Sequence, residues 1–331
     1  YSFLPTKVAV DSVGRIYVIS RNDYQGILQF NADYSFFGYM GSNQVTFNIV
    51  DMIWKKLLTE DQLNQTVQFI PVEYTNLYLD DEEFIYTVSA SPTETTPIKL
   101  LNSSGDDVLL HAGYSSSIAG DEQVLASGKG TRSTLIDICA DSTGTYFALD
   151  SSLGHIFAYN SEGFLLYAFG AMGNQIGTFA TPTAIEIWKD QLYVLDSETK
   201  SISVFGMTEY AREIRNAEKL YNSGKYDESM QVWQRVAKMN GNFELAYAQI
   251  GKIQLMQEKY EEAMRNFELG YVRGDMVQQQ NGYNKAFTEY RKQFLASHLP
   301  MIILIVVAVI LIAVAVYWMI KRRKKTKKGA K

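Results

Sequence analysis

The sequence predicts a multi-domain protein with an all-β body, an α-helical region and one transmembrane helix. Three observations support this prediction: a phrase of short strands that recurs up to residue 206, a helical period that replaces it from residue 207, and twenty uncharged residues from Met301 to Ile320. At 331 residues and 47% hydrophobic content, the chain is long enough for more than one hydrophobic core. The expected domains are residues 1–206, 207–298, 300–320 and a basic tail at 321–331.

The recurring phrase consists of short alternating strands separated by turn residues. Its clearest copies are "VAVDSVGRIYVIS" from Val8 and "ICADSTGTYFALDSSLGHIFAYN" from Ile138, and weaker copies begin near Pro71 and Pro182. Each copy contains three strands, and three copies add a fourth that ends at Gly. Short strands at regular spacing with turn signals predict antiparallel meanders. Four-stranded units repeated along a chain predict the blades of a β-propeller.

These residues resemble the NHL repeat, in which an apolar strand ends in Asp, a Gly turn follows and the next strand reads "IYV". The resemblance covers residues 1–205 and implies an all-β propeller with four NHL-like blades visible. Since proteins with NHL repeats usually close six blades, we expect these four to be part of a larger propeller, the alternative being that they form an open arc. The second and fourth copies depart from the pattern, because "DDEE" and "WKDQ" replace the Gly turn.

A stretch between the first two copies, residues 47–66, is predicted to be a helical insert. Its apolar residues recur at helical period and fall on one face. Two interpretations are open: this face packs on the blade beneath it, or it is exposed and binds a partner. In the second case the partner-binding residues are Ile49, Ile53, Trp54, Leu57 and Leu58.

Two segments after residue 206 align at a shift of 34 residues, "GKYDESMQVWQRVAKMNGN" and "EKYEEAMRNFELGYVRGD". They resemble the tetratricopeptide repeat, which implies stacked helix pairs. Residues 276–298 are expected to form a capping helix. Such a region offers a concave surface to other proteins, or it is a rigid stalk between the propeller and the membrane. The resemblance assigns the repeat core to Tyr226, Trp233, Tyr260, Ala263 and Phe267.

The uncharged segment from Met301 to Ile320 predicts a transmembrane helix, because twenty helical residues span about 30 Å, the thickness of a bilayer core. Basic residues concentrate on the cytoplasmic side of a span. We therefore expect a cytoplasmic tail and an extracytoplasmic body. Its candidate membrane-surface residues, which would contact anionic lipid, are Lys321, Arg322, Arg323, Lys324 and Lys325.

The charge distribution excludes nucleic acid as an expected partner. The full chain carries a formal net charge of −5, and eight Lys and Arg lie in residues 321–331. Residues 1–320 therefore hold 23 basic against 36 acidic residues, a net charge of −13. An acidic body of this kind repels nucleic acid.

The search for reactive groups predicts no catalytic residue, no cofactor and no metal. The single Cys139 excludes an intramolecular disulfide and is predicted to be a buried thiol within a strand. His111 and His155 are expected at strand positions. Asp11, Asp80 and Asp141 recur at strand-to-turn junctions, where Asp caps the turn through its own side chain. Alternatively, these aspartates bind calcium, as a resemblance to propeller lactonases implies.

The sequence therefore predicts a membrane-anchored extracytoplasmic scaffold that binds protein or glycan partners. Its layout resembles that of accessory components of bacterial membrane assemblies, including ones associated with sugar transporters. The expected partners are proteins, among them a membrane transporter or envelope component, with anionic lipid at the tail. The alternative function is a calcium-dependent lactonase or hydrolase, for which convergent carboxylates in the propeller channel would be the sign.

Overall fold

The computed structural model describes residues 3–41, 73–90, 96–111, 119–124, 130–270 and 277–328. The chain divides into two compact units, one of residues 1–245 with 273–276 and one of residues 246–272 with 277–331. The predicted helical insert at 47–66, with Ile49, Ile53, Trp54, Leu57 and Leu58, lies outside the described residues.

The first unit contains four antiparallel sheets in a blade-like arrangement, each with its strands in sequence order. Blade 1 is built from β1 (Pro5–Val10), β2 (Ile16–Ser20), β3 (Ile27–Phe30) and β4 (Phe36–Met40). Blade 2 is built from β5 (Tyr74–Leu79), β6 (Ile85–Ser89) and β7 (Ile98–Leu101). A separate hairpin follows, with β8 (Glu122–Val124) and β9 (Gly130–Arg132).

The remaining two blades differ in their strand number. Blade 3 is built from β10 (Leu135–Ala140), β11 (Tyr146–Asp150), β12 (Ile156–Tyr159) and β13 (Leu165–Phe169). Blade 4 is built from β14 (Pro182–Trp188), β15 (Gln191–Asp196) and β16 (Ser201–Gly206). The first strands of successive blades adjoin one another, β1 with β5, β5 with β10 and β10 with β14. This order places the first strand of each blade at the inside of the arrangement.

The turns between first and second strands share one hydrogen-bonding pattern. In blade 1 the Asp11 Oδ1 accepts hydrogen bonds from the amides of Val13 and Arg15. The same pattern recurs at the Oδ1 of Asp80 and the Oδ1 of Asp141, each of which accepts from two amides of its own turn. The predicted turn role of these three aspartates is therefore confirmed.

The first strand of every blade carries a register shift near its start, between Pro5 and Lys7 in blade 1 and at the matching place in the others. In three blades a threonine occupies the extra position and donates its hydroxyl to a carbonyl of the second strand. These pairs are Thr6 with Ile19, Thr75 with Val88 and Thr183 with Leu195. The shift is a β-bulge, which fixes the register of the strand pair.

Apolar side chains fill the spaces between neighbouring blades. Tyr17, Ile27 and Met40 of blade 1 pack with Tyr74 and Ile85 of blade 2 in one buried cluster. A second cluster joins blade 2 to blade 3, with Tyr86, Ile98, Ile138, Tyr146 and Phe157 among its members. Cys139 is fully buried in β10, as predicted. Burial raises the pKa of its thiol, which keeps it protonated.

Three expectations about the strands are corrected. The fourth strand expected in the second copy is only an isolated bridge between Leu101 and Asp107, because the chain leaves the sheet there. The β8–β9 hairpin between blades 2 and 3 has no counterpart in the predicted repeat. His111 and His155 lie outside strands, and their ring nitrogens contact the carboxylates of Asp107 and Asp121 at 3.1 Å.

The helical region begins immediately after β16. The helices are α1 (Glu209–Asn222), α2 (Tyr226–Met239), α3 (Glu244–Met256), α4 (Tyr260–Leu269) and α5 (Val277–Lys328). Both α2 and α4 follow a residue with positive φ, Gly224 at 74° and Glu258 at 60°. These two residues are 34 positions apart, so the predicted period recurs in the backbone of the two turns.

Each unit buries the aromatic side chain assigned to its repeat core. In the first unit Trp233 is fully buried, with its ring 6.5 Å from that of Phe243. In the second unit Ala263 and Phe267 are buried, and the Phe267 ring lies against Gly251 and Gly282. Tyr226 and Tyr260, at the first positions of α2 and α4, are half-buried.

The last helix, α5, joins the predicted capping helix at 276–298, the apolar span and most of the basic tail in one continuous element. Within it, Met301–Trp318 has a mean hydropathy of 3.1, and none of this window is buried. Among the described residues, it is the one helix long and apolar enough to cross a membrane, judged by length and composition. The helical backbone continues through Lys321, Arg322, Arg323, Lys324 and Lys325.

Candidate binding cleft

A cleft of about 1060 Å³ lies between the turns of blades 2 to 4 and helix α1, all within the first unit. We call it the turn–helix cleft. Its blade side is formed by the β5–β6 turn at residues 80–84, the β10–β11 turn at 141–144 and Asp190 of blade 4. Its helix side is formed by residues of α1, namely Arg212, Arg215, Asn216, Lys219 and Asn222.

Ion pairs and hydrogen bonds hold α1 at the edge of the cleft. The Arg215 Nε lies 3.0 Å from the Asp141 Oδ2 of blade 3, and the Arg215 Nη1 donates to the Asp190 Oδ1 of blade 4 at 2.7 Å. One turn further along α1, the buried Glu218 accepts a hydrogen bond from the Asn160 side-chain amide at 3.2 Å. The helix is therefore tied to the turns of two blades.

The two carboxylate oxygens of Asp141 make different contacts. Its Oδ1 closes the β10–β11 turn by accepting from the amides of Thr143 and Thr145. Its Oδ2 is free of that turn and faces the Arg215 guanidinium. Because only 2% of the Asp141 side chain is exposed, Arg215 supplies the charge that compensates a buried carboxylate.

The two sides of the cleft carry exposed charges of opposite sign. Asp81 and Glu82 are exposed on the blade side, and Arg212 and Lys219 are exposed on the helix side. In the described part of the chain, no ion pair joins these acidic side chains to these basic ones. The cleft therefore presents acceptors and donors of both signs to an incoming ligand.

Apolar and aromatic residues also line the cleft. They include the half-buried Phe84, the half-buried Leu100 and the buried Tyr86, and hydroxyls come from Ser142 and Thr143. The Tyr86 ring lies 5.5 Å from that of Tyr146, in the core between blades 2 and 3. Apolar residues together with a few polar groups are common in binding sites for organic ligands.

Burial perturbs two acidic groups of the lining. Burial raises the pKa of Asp80, against the opposing effect of hydrogen bonds from the amides of Phe84 and Glu82. Burial also raises the pKa of Tyr86, which keeps its hydroxyl protonated. In the "DDEE" run that replaces the Gly turn, Asp81 and Glu82 are exposed, whereas Asp80 and Glu83 are half-buried.

A second polar position lies on the first strand of blade 3. The buried Asp137 accepts hydrogen bonds from its neighbour Ile138 and from the amide of Ile185 in blade 4. The Lys7 Nζ of blade 1 is 4.0 Å from the Asp137 Oδ2. Burial raises the pKa of Asp137 to about 6, although Lys7 and the two amides oppose this rise. Among the described residues, no group of three or more His, Cys, Asp or Glu side chains is placed to hold a metal ion.

Sequence reasoning missed the residues of α1 that form the cleft. The sequence assigned α1 to the helical repeats and gave no role to Arg215 or Glu218. Their partners Asp141 and Asn160 lie 74 and 58 positions away. Arg215 and Glu218 lie in the interior of α1 and their partners are distant in the sequence, so no local pattern distinguishes them.

No family model matches this chain, and none of the curated proteins compared with it matches. Solved structures do show similarity, and they are propeller-like proteins. One is the extracellular domain of the hybrid two-component system BT3049 from B. thetaiotaomicron, with 16% identity and a TM-score of 0.35 over 61% of this chain and 23% of that one.

Two further similar structures come from other bacteria. PorZ, a surface component of the type-IX secretion system of Porphyromonas gingivalis, has 12% identity and a TM-score of 0.31, over 60% of this chain and 26% of that one. Virginiamycin B lyase from Staphylococcus aureus has 9% identity and a TM-score of 0.25, over 62% of this chain and 85% of that one. The chain spans about a quarter of the length of the BT3049 and PorZ structures. These similarities assign no activity to it.

Proposed function

We propose that this protein is a membrane-anchored scaffold whose propeller-like body lies outside the cytoplasm and binds a protein or glycan partner in the turn–helix cleft. The observation that carries the proposal is the cleft itself, a volume of about 1060 Å³ lined by apolar residues and by exposed side chains of both charges, which make no ion pair with one another among the described residues. Peptides and amino sugars carry charged and apolar groups close together. Such ligands match this lining.

The anchor is the apolar part of α5. Its window Met301–Trp318 is uncharged, and the eight Lys and Arg of residues 321–331 follow it directly. Because basic residues are retained on the cytoplasmic side, this order supports a cytoplasmic tail and an outer body. The tail would also contact anionic headgroups.

The helices from α1 to α4 support a scaffold role. The 34-residue period of the turns before α2 and α4, together with the buried Trp233 and Phe267, supports a tetratricopeptide-like arrangement. Regions of this kind present surfaces to other proteins. We therefore place the partner among membrane transport or envelope components, in keeping with the layout of the sequence.

The cleft is tested by charge reversal and affinity purification. Three full-length proteins are purified from solubilised membranes: wild type, the double variant Arg212→Glu/Lys219→Glu, and Lys238→Glu. The last is the control, because Lys238 is exposed on α2 and lies outside the cleft lining. Quantitative mass spectrometry should find one partner with wild type and Lys238→Glu that is lost with the double variant. Equal recovery with all three proteins would contradict the cleft as the binding site.

The orientation is tested separately by cysteine labelling. In a Cys139→Ser background, a single cysteine is placed at Gln234, exposed on α2, or at Thr326 in the tail. A membrane-impermeant maleimide should label the cysteine at position 234 in intact cells and the one at 326 only after permeabilisation. The reverse pattern would mean that the body is cytoplasmic.

A further inference from the structure

Among the described strands, blade 4 lacks the fourth, outermost strand that blades 1 and 3 have. Blades 1 and 3 end in a fourth strand, β4 and β13, whereas in blade 4 the chain enters α1 three residues after β16. Within the described residues, β16 pairs with β15 alone. Its outer edge therefore presents backbone amides and carbonyls that no other described strand satisfies, and Ile202 and Val204 on it are exposed.

An apolar cavity of about 300 Å³ adjoins this edge. Its walls include Phe205 and Gly206 of β16, Tyr167 and Phe169 of the neighbouring blade 3, and Ala211 at the start of α1. The volume is about ten times the share of one water molecule in the liquid, about 30 Å³. With an apolar lining it offers water few partners, and it shares only Asp190 with the turn–helix cleft.

Blade 3 shows which side chain occupies the equivalent position when the fourth strand is present. The bulges at the starts of β10 and β14 align Ile138 with Ile185. By the pairing registers, Phe205 of blade 4 is then the counterpart of Tyr159 in blade 3. The β13 residue paired with Tyr159 is the exposed Leu165, and the register shift between this pair and the next leaves one extra residue, Leu166, which is buried. Blade 4 has the cavity beside Phe205 and no described strand to supply such a side chain.

We infer that the free edge of β16 accepts an extended strand from a partner protein, which pairs antiparallel to β16 and inserts a large apolar side chain into the cavity. Backbone hydrogen bonds would supply most of the affinity, and the cavity would select the side chain. The ligand is thus defined chemically as an extended segment with an apolar residue flanked by residues that tolerate exposure. This surface is independent of the turn–helix cleft.

The probe is a peptide with the sequence of the fourth strand of blade 3, "GFLLYAFG" of residues 163–170. It carries added lysines at both ends for solubility and a fluorescent label. It is titrated against the full-length protein in detergent, and anisotropy is read. We expect saturable binding. The control peptide, in which the residue equivalent to Leu166 is replaced by Asp, should bind at least tenfold more weakly. Equal binding of both peptides would overturn the proposal.

Two variants on α1 test the cavity. Ala211→Leu adds volume inside it and should weaken peptide binding at least tenfold, whereas Glu209→Leu, at an exposed position of the same helix outside the cavity lining, should bind as wild type does. The two peptides on the wild-type protein keep the proposal testable if Ala211→Leu does not fold. Unchanged binding by a folded Ala211→Leu protein would overturn insertion at this site.

Hydrogen exchange locates the bound strand. In the free protein the outward amides of β16 should exchange rapidly, and the peptide should protect them while leaving β4 and β13 unchanged. Slow exchange in the free protein would show that the edge is already occupied. Protection that grows with protein concentration alone would identify a second copy as the occupant. Either result would overturn the assignment to a partner.

Discussion

The Arg215 guanidinium lies 3.0 Å from the Asp141 carboxylate, and this contact connects the first helix to the third blade. Asp141 closes its own turn with one oxygen and holds Arg215 with the other. The same guanidinium reaches Asp190 of blade 4 at 2.7 Å. One arginine therefore fixes the position of α1 on two blades, and with it the helix side of the cleft.

Loss of this arginine should destabilise the first unit. Arg215→Ala leaves a carboxylate whose side chain is 2% exposed without its cation. Removing one partner of a fully buried pair costs about 3–5 kcal/mol. Because Arg215 itself is 22% exposed, we expect a smaller loss in the free energy of unfolding, about 2–3 kcal/mol. Urea denaturation of the full-length protein measures it.

The matched control is Arg212→Ala on the same helix. Arg212 is exposed and makes no ion pair among the described residues, so its loss should stay within about 0.5 kcal/mol. Equal effects of the two variants would show that the Asp141 contact does not determine the stability of this region.

Asp137 should give the protein a distinct dependence on pH. Burial raises its pKa to about 6, from an ordinary value of 3.8. A carboxyl with a raised folded-state pKa binds its proton more tightly when folded. Its favourable contribution is fully present below about pH 3.8 and is lost as the pH rises through about 6. The shift corresponds to about 3 kcal/mol.

The variant Asp137→Asn removes this titration. The difference in the free energy of unfolding between wild type and variant should therefore change in favour of the variant by about 2–3 kcal/mol between pH 4 and pH 7. Urea denaturation of both proteins across that range measures the difference. A difference that does not vary with pH would mean that Asp137 titrates normally. The asparagine side chain keeps one acceptor oxygen in place of the two that accept from the Ile138 and Ile185 amides.

The Phe267 ring should make Gly282 intolerant of a side chain. A Cβ added at Gly282 would lie 2.7 Å from the ring, and one added at Gly251 would lie 3.1 Å from it. Overpacking of this kind costs about 1–3 kcal/mol, so Gly282→Ala should lower the free energy of unfolding by that amount. Phe267→Leu in the same chain should recover part of the loss. A tolerated Gly282→Ala would contradict the close contact.

Trp233 should be the more important of two tryptophans for stability. It is fully buried, and Trp233→Ala should cost about 3–5 kcal/mol through the cavity it leaves. Trp188, which is 58% exposed, is the control. Lys189 lies over its ring at 4.1 Å, and the loss of that cation–π contact should cost about 0.5–1 kcal/mol. Thermal or urea unfolding of both variants separates the two values.

Local patterns in the sequence predicted the strands and the turn chemistry because both depend on neighbouring residues. Alternating apolar residues determine which face of a strand is buried, and Asp at a strand end bonds to amides two and four positions later. The site depends instead on distant pairs. Asp80 and Asp141 begin equivalent turns that both line the cleft, and of the two it is Asp141 that contacts Arg215, 74 positions later in the chain.

The sequence could not predict the environment of Asp137 either, because its contacts are also with residues distant in the chain. It contacts the amide of Ile185, 48 positions away, and the ammonium group of Lys7 on the first blade. The missing fourth strand of blade 4 was visible as the absence of a Gly-ended strand. The cavity beside Phe205 was not, because residues from two blades and from α1 enclose it together.

The bulge at the start of each first strand has a consequence for how this chain tolerates change. A slip of one residue would turn the apolar side chains of a strand to its opposite face. The bulge resists that slip in each blade, and in three of them a threonine hydroxyl adds a hydrogen bond across the strand pair. Each sheet thus keeps its own alignment without help from the connection that precedes it. Lengthening a flexible connection between two blades then adds little entropic cost, since that cost grows only with the logarithm of its length. Evolution is free to lengthen, shorten or replace such connections while the blades on either side stay intact.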